Sequence, residues 1–131
     1  MKGKRQIYKK CLKLAKDIAK IRDKYTCQRC WAKTNIHWSH IINEARDHRL
    51  AINPDNIKAL CYNCHLGRRH KDPIMASEWF NEKFPWRYDK LRKLHIEYQK
   101  LWNISLSWYE EQLSILTERH KSLLKNQNKS V

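Results

Sequence analysis

Glycine is almost missing from this 131-residue chain, which has only Gly3 and Gly67. That scarcity excludes a collagen-like repeat, argues against an all-β barrel, and leaves no Gly-rich loop to cradle a phosphate. Neither G-x-G-x-x-G nor a P-loop pattern occurs, so nucleotide hydrolysis by that route is out. Acidic residues are also few, 13 Asp and Glu against 28 Lys and Arg, for a formal charge of +15. This balance excludes an acidic disordered tail and argues against a neutral metabolic enzyme. It points to a polyanionic partner, nucleic acid first and a membrane surface second. Long apolar runs are absent as well. No stretch approaches the length of a spanning helix, and the basic N-terminal stretch never holds seven apolar residues together, so it does not read as a signal peptide. No membrane association is expected. The expected compartment is a reducing cytoplasm, where paired cysteines mean metal before disulfide.

Apolar residues make up 41% of the chain and include six Trp, so a core can form in the single domain that this length allows. Residues 1–25 carry ten Lys and Arg against Asp17 and Asp23. Ile7, Cys11, Leu14, Ile18, Ile21 and Tyr25 step by three and four, the pattern of an amphipathic helix with a basic outer face. The ordinary reading of such a face is solvation; its single sign and density favour Lys9, Lys13, Lys16 and Lys20 as phosphate contacts. Residues 26–72 differ, holding four of the five cysteines and five of the seven histidines. Strands are expected over 36–42 and 51–60, with a polar connector and the turn Asn53-Pro54-Asp55-Asn56 between them, then a short helix from Asn63 that stops before Asp72. Asp72-Pro73 starts another helix that Pro85 ends. Leu91, Leu94, Tyr98 and Leu101 mark the next. The spacing of a capping box at Ser107–Glu110 opens the last, with Tyr109, Leu113, Leu116 and Leu123 as its apolar set. These two are expected to pack as an antiparallel pair over a helical extension of 73–126, leaving 127–131 as a frayed tail.

Cys27-Gln-Arg-Cys30 and Cys61-Tyr-Asn-Cys64 are two C-x-x-C knuckles with 30 residues between them. Four thiolates suit tetrahedral Zn²⁺ and leave no open coordination position, so the ion would be structural. It would also supply folding free energy to a small core. A redox motif or a pair of disulfides accounts less well for two knuckles in one short segment. Cys11, on the apolar face of the first helix, reads as an ordinary buried thiol.

Within the zinc frame lie Ser39-His40-Ile41-Ile42, Asn53-Pro54-Asp55-Asn56-Ile57 and Cys64-His65. With the knuckles, this ordered set over about residues 27–72 resembles the HNH endonuclease family, whose fold is the ββα-metal finger. Ile18–Cys30, Ser-His-Ile-Ile, the Cys-His helix and Asp72-Pro73 with Trp79-Phe80 are similar to the phage NinG/Rap group of recombination nucleases, over roughly residues 10–110. The resemblance implies an α+β, mostly α architecture, with the zinc-stapled finger flanked by an N-terminal basic helix and C-terminal helices. It implies a metal-dependent DNA endonuclease acting on branched recombination DNA such as a Holliday junction, in a bacterial host cytoplasm if phage-encoded. A junction resolver needs two active sites, which makes a homodimer one expectation.

Phosphodiester hydrolysis needs an activated water and neutralisation of the growing charge. A neutral imidazole can accept the water's proton, and His40 is assigned as that base. The resemblance makes Asn56 its orienter and His65 a ligand of Mg²⁺ or Mn²⁺. Many HNH enzymes carry a second ligand, Asp or His, just before the base, where this chain has Ser39. His37, Asp47, His48 and His70 are the substitutes at hand. Strand alternation sets His37 on the face opposite His40, and His70 misses the i, i+4 spacing from His65, so the second ligand stays unassigned. Arg46, Arg49, Arg68, Arg69 and Lys71 are expected to extend the basic helix into one phosphate track. Trp31 and Trp38 could stack on opened bases, although burial is their expected fate. A zinc-stapled nucleic-acid-binding module without catalysis, and a sequence-specific homing or restriction nuclease, are the rival readings.

Overall fold

The computed structural model describes residues 2–43, 47–69, 71–101 and 103–129, and at residues 2, 67–69, 128 and 129 the backbone alone. The order of elements is α1 (Lys2–Asp23), β1 (Ile36–His40), α2 (His48–Ala51), a 3₁₀ turn (Pro54–Asn56), β2 (Ile57–Cys61), a π-helical segment (Asn63–Arg69), α3 (Pro73–Lys83), α4 (Pro85–Gln99) and α5 (Leu106–Lys129). The architecture is α+β and mostly helical, with one small antiparallel sheet. No described helix is long and apolar enough to cross a membrane.

The three-and-four stripe of α1 is buried as its spacing demands. Cys11 and Ile18 close against Tyr109 and Leu116 of α5, with Ile7, Leu14, Leu113 and Leu123 at the margins. A fully buried Ile or Leu contributes about 2 kcal/mol by area. One turn away, Ala15 and Ala19 meet Ile57 and Trp38, and their small side chains let the helix lie close on the sheet. The expected antiparallel pairing of the last two helices is therefore corrected. The apolar set of α5 is spent on α1, while Leu91, Leu94 and Tyr98 of α4 pack with Leu50 and Phe80.

β1 and β2 pair with Ile36 opposite Cys61, His37 opposite Leu60, Trp38 opposite Ala59, Ser39 opposite Lys58 and His40 opposite Ile57. The sheet is shorter than the apolar runs suggest. Residues 51–56 are not strand, because two local caps win: Asp47 Oδ1 accepts from the backbone N–H groups of Arg49 (3.0 Å) and Leu50 (3.2 Å) to start α2, and Asn53 Oδ1 accepts from Asp55 N (3.0 Å) to start the 3₁₀ turn. The outer edge of β2 does not stay open. Asp23 Oδ2 accepts from Ala59 N at 2.9 Å, and Gln28 N donates to Ala59 O at 2.9 Å.

Asp72 caps α3 through Met75 N (3.1 Å), as its Asp-Pro start implies. Pro85 does more than stop that helix: it opens α4 directly, a first-turn role for which its fixed φ is suited. The cap of α5 is Ser105, whose Oγ accepts from Trp108 N at 3.1 Å, two residues before the expected Ser107. That helix continues to Lys129, through most of the segment expected to fray.

Candidate metal centre and histidine site

The four knuckle cysteines converge. Their Sγ atoms all lie within 4.8 Å of one another, with Cys30 and Cys61 3.4 Å apart, and all are free thiols. Four sulfurs at the Zn–S length of about 2.3 Å stand about 3.8 Å apart around a tetrahedron, so this donor set fits zinc. The first knuckle is entered through left-handed residues, Lys24 and Tyr25 at φ 52° and 53°, and left through Trp31 at φ 69°. A non-glycine residue there costs about 1 kcal/mol, which the binding energy of an ion at the cysteine cluster would offset. Burial works against the Cys27 thiolate, and the amides of Cys30, Cys61 and Arg29 outweigh it, bringing the thiol down to about 7. Burial and the neighbouring thiols push Cys64 up. A cation at the centre would hold all four deprotonated.

His65 follows Cys64 at the start of the π-helical segment, so whatever holds the second knuckle also holds this imidazole. Its Nδ1 lies 3.1 Å from Nδ1 of His37. The two rings are near perpendicular at 87°, with centroids 5.2 Å apart, and Tyr62 meets His37 edge-on at 5.9 Å. By register, His37 and Ser39 share one face of the sheet with Leu60 and Lys58. Ser39 is buried there, and its Oγ has no hydrogen-bond partner among the described residues. The strand ring that meets His65 is thus His37. Lys58 is also buried, with its ammonium 5.4 Å from the Phe80 ring centroid. It lines a cavity of about 480 Å³ together with Asn43, Tyr88, Arg92 and His95.

His40, three residues on from His37, is turned the other way by strand alternation. Its Nε2 is 2.9 Å from the carbonyl of Ala51. A carbonyl only accepts, so Nε2 carries the proton and Nδ1 the lone pair. Asn56 is fully buried. Its Oδ1 accepts from Ile42 N (2.8 Å), and its Nδ2 donates to Ile42 O (3.0 Å) and Leu50 O (3.1 Å). Its backbone carbonyl accepts from Ile41 N at 2.8 Å. Asn56 therefore binds the end of β1 to the end of α2, and α2 presents the carbonyl that His40 uses. Asp47 supports the same corner, capping α2 with Oδ1 while its Oδ2 meets His95 Nδ1 at 3.1 Å.

The basic residues divide. Lys9 and Lys71 are exposed. Lys13 and Lys20 both reach Asp17, at 2.9 and 3.5 Å, Lys16 is half-buried, and Lys20 also sits 5.8 Å from the Trp38 ring. Arg49 is corrected as a phosphate contact: it is buried, and its guanidinium donates to the carbonyls of Tyr98 (3.2 Å) and Asn103 (3.1 Å), tying α2 to the α4–α5 connection. Arg46, His70 and the side chains of Arg68 and Arg69 lie outside the described residues. Trp31 is not buried; it is 65% exposed, with the Lys83 ammonium 4.5 Å from its ring.

His37 and Asp23 are the residues that sequence reasoning left without a role. Strand parity sets His37 on the same face as Ser39.

No family model and no solved structure matches the chain. One curated protein, described as a "Probable HNH endonuclease" of Lactococcus phage SK1, is 38% identical over 56 residues. The match covers 38% of this chain and 60% of that protein, so the chain spans well under two thirds of its relative's length. The similarity supports a connection to HNH endonucleases and reaches no further than that segment.

Proposed function

We propose that the chain is a metal-dependent DNA endonuclease of HNH type, and that it selects branched DNA over plain duplex. The observation that carries the hydrolytic reading is the 2.9 Å contact between Nε2 of His40 and the Ala51 carbonyl. The Nε2–H is given to the Ala51 carbonyl, and Asn56 locks the segment carrying that carbonyl, which leaves the lone pair on Nδ1. A general base needs one ring nitrogen anchored so that the other can act as acceptor toward water. Nδ1 of His40 takes the proton of the attacking water as the water oxygen bonds to phosphorus. The bond to the 3′ oxygen breaks, and that oxygen takes a proton from solvent.

Asn56 acts through His40 and the loop, as a positioning residue. His65 would hold Mg²⁺ or Mn²⁺, which when bound would supply Lewis-acid stabilisation of the phosphate and leaving oxygen; the reading requires that ion and Nδ1 of His40 to reach one phosphate at the end of β1. The four cysteines hold zinc and fix His65 in place. Lys9, Lys16 and Lys71, with the partly neutralised Lys13 and Lys20, contact the DNA backbone, so affinity falls steeply with salt. Arg46, Arg68 and Arg69 are assigned the same role. The resemblance to recombination nucleases is the ground for branched DNA, and with it for a homodimer that carries two sites.

The test is a panel of linear duplex, flap and four-way junction DNA, with Mg²⁺ and with EDTA. Wild type is expected to nick the branched forms in Mg²⁺ only, and His40→Ala to bind them without nicking. Equal cutting at one sequence in every context would establish a sequence-specific nuclease instead. A second reading, a zinc-stapled binding module without hydrolysis, is favoured by the opposite facing of His37 and His40 along β1. It predicts junction binding and no nicking by wild type at any Mg²⁺ or Mn²⁺ concentration.

A further inference from the structure

We propose that His37 is the second protein ligand of the divalent ion held by His65, taking over from Ser39. The proposal rests on the reading of His65 as a ligand and names the residue that completes it. The reasoning begins with distance. Two imidazole nitrogens about 2.1 Å from one ion and at right angles around it stand about 3 Å apart. Nδ1 of His37 and Nδ1 of His65 are 3.1 Å apart, and their perpendicular rings keep the two carbon frames from colliding as the lone pairs turn toward a shared point.

Each imidazole is held from behind. His65 is fixed by the adjacent Cys64 in the sulfur cluster. His37 is fixed by its place in β1 opposite Leu60, and by Tyr62 against its ring. A ligand pair that is positioned before the ion arrives binds it with little ordering cost.

Among the described residues the alternatives are occupied or poorly suited. Ser39 lies on the same face but offers a neutral hydroxyl, and it is buried opposite the ammonium-bearing Lys58. Asp47 uses both carboxylate oxygens, one on the α2 amides and one on His95. His48 is exposed and stands against Tyr8, ring centroids 5.5 Å apart, on the α1 side of the molecule. Without an ion, one of the paired rings donates an Nδ1 proton to the other. With both Nδ1 atoms bound to metal, each ring carries its proton on Nε2. The tautomer change is confined to these two residues and can be read directly.

The experiment uses the full, zinc-loaded chain. Calorimetric titration with Mn²⁺ should find one site per chain beyond the zinc. His37→Phe, which keeps an aromatic ring against Tyr62, and His65→Ala should each weaken that site at least tenfold, while Ser39→Ala leaves it unchanged. A second variant, His37→Ala, should weaken it by a similar factor. Zinc content of one per chain certifies that each variant is folded. Nitrogen-15 spectra of the histidine rings should show both His37 and His65 as Nε2–H tautomers once diamagnetic Mg²⁺ is bound. If His65→Ala loses Mn²⁺ and both His37 variants keep wild-type affinity, the proposal is overturned and the parent reading stands. If wild type takes up no second ion, both fall.

Discussion

Along α1 and α5 the buried positions are apolar and periodic, apart from Asp23 at the end of α1, and Cys11, Ile18, Tyr109 and Leu116 close on one another over two long helices. Between Cys27 and the π-helical segment the fully buried set mixes Ile57 and Leu60 with Asn56, Ser39 and Lys58, and regular β structure shrinks to two five-residue strands. A helix pair needs only matching apolar stripes, because its backbone hydrogen bonds are internal. A two-stranded sheet does not stand alone in water. It is held here by side chains that satisfy its loose backbone groups one at a time, and by a sulfur cluster at its end. His37, His40, His48 and His65 all fall in this second region, among the polar groups that the apolar helix pair does not bury.

Removing zinc should separate the two regions most sharply. Structural zinc sites contribute on the order of 10 kcal/mol of binding free energy that doubles as folding energy. Chelation, or Cys64→Ser, is expected to abolish the divalent-ion site and the dispersion of amides in 27–69, while far-UV circular dichroism keeps most of the signal from α1 and α5. Simultaneous loss of both regions would show that the helix pair has no stability of its own.

Leu116→Ala attacks the other side. The residue is 4% exposed, and such a truncation costs about 3 kcal/mol through lost burial and a residual cavity. The thermal midpoint should fall, with zinc stoichiometry and Mn²⁺ affinity unchanged. Asn56→Ala reverses that pattern. It strands Ile42 N and weakens the grip on Leu50 O, at a cost of about 2 kcal/mol. If His40 is the base as proposed, nicking should drop by more than the loss of folded protein accounts for, since the Ala51 carbonyl no longer holds His40 in register.

The two long helices were legible one by one, because a stripe of one period over twenty residues has one solution, but their pairing was not, since α5 was expected against α4 and packs on α1; the cysteine cluster was legible because C-x-x-C twice has few others. The failures share a cause. Residues 51–56 read as strand by their apolar content, yet the Asp47 and Asn53 caps decide the backbone there. Arg49 read as a phosphate contact by its charge, yet two carbonyls 49 and 54 residues away claim it. His37 was set aside by counting faces from His40, whereas the relevant face is the one that His65 meets across the fold. Each depended on a partner distant in sequence or on a competition between local hydrogen bonds, and neither is written in periodicity.

The smallest expected effect lies at the joint between the regions. Asp55 sits in the 3₁₀ turn, with Oδ2 2.6 Å from Lys90 of α4 and Oδ1 3.9 Å from Arg119 of α5. Its backbone carbonyl accepts from Arg87 at 2.6 Å, a guanidinium that burial and neighbouring Arg22 bring down to about 10. Burial raises the Asp55 carboxyl, and Lys90, by hydrogen bond and charge, outweighs it and holds the group below the usual carboxylate range. A group whose folded pKa is depressed stabilises the fold above its unfolded value and loses that contribution as pH falls through the folded one. Asp55→Asn should therefore lower the midpoint at pH 7, and the gap from wild type should close as pH drops below about 4. Because Lys90 is 58% exposed, solvent screens the pair, and the gap should stay under about 1 kcal/mol. Raising the salt to about 1 M should remove most of it, and the deficit of Asn56→Ala should remain. The joint is thus electrostatic and screened, and the corner beneath it is a set of buried hydrogen bonds that salt does not reach.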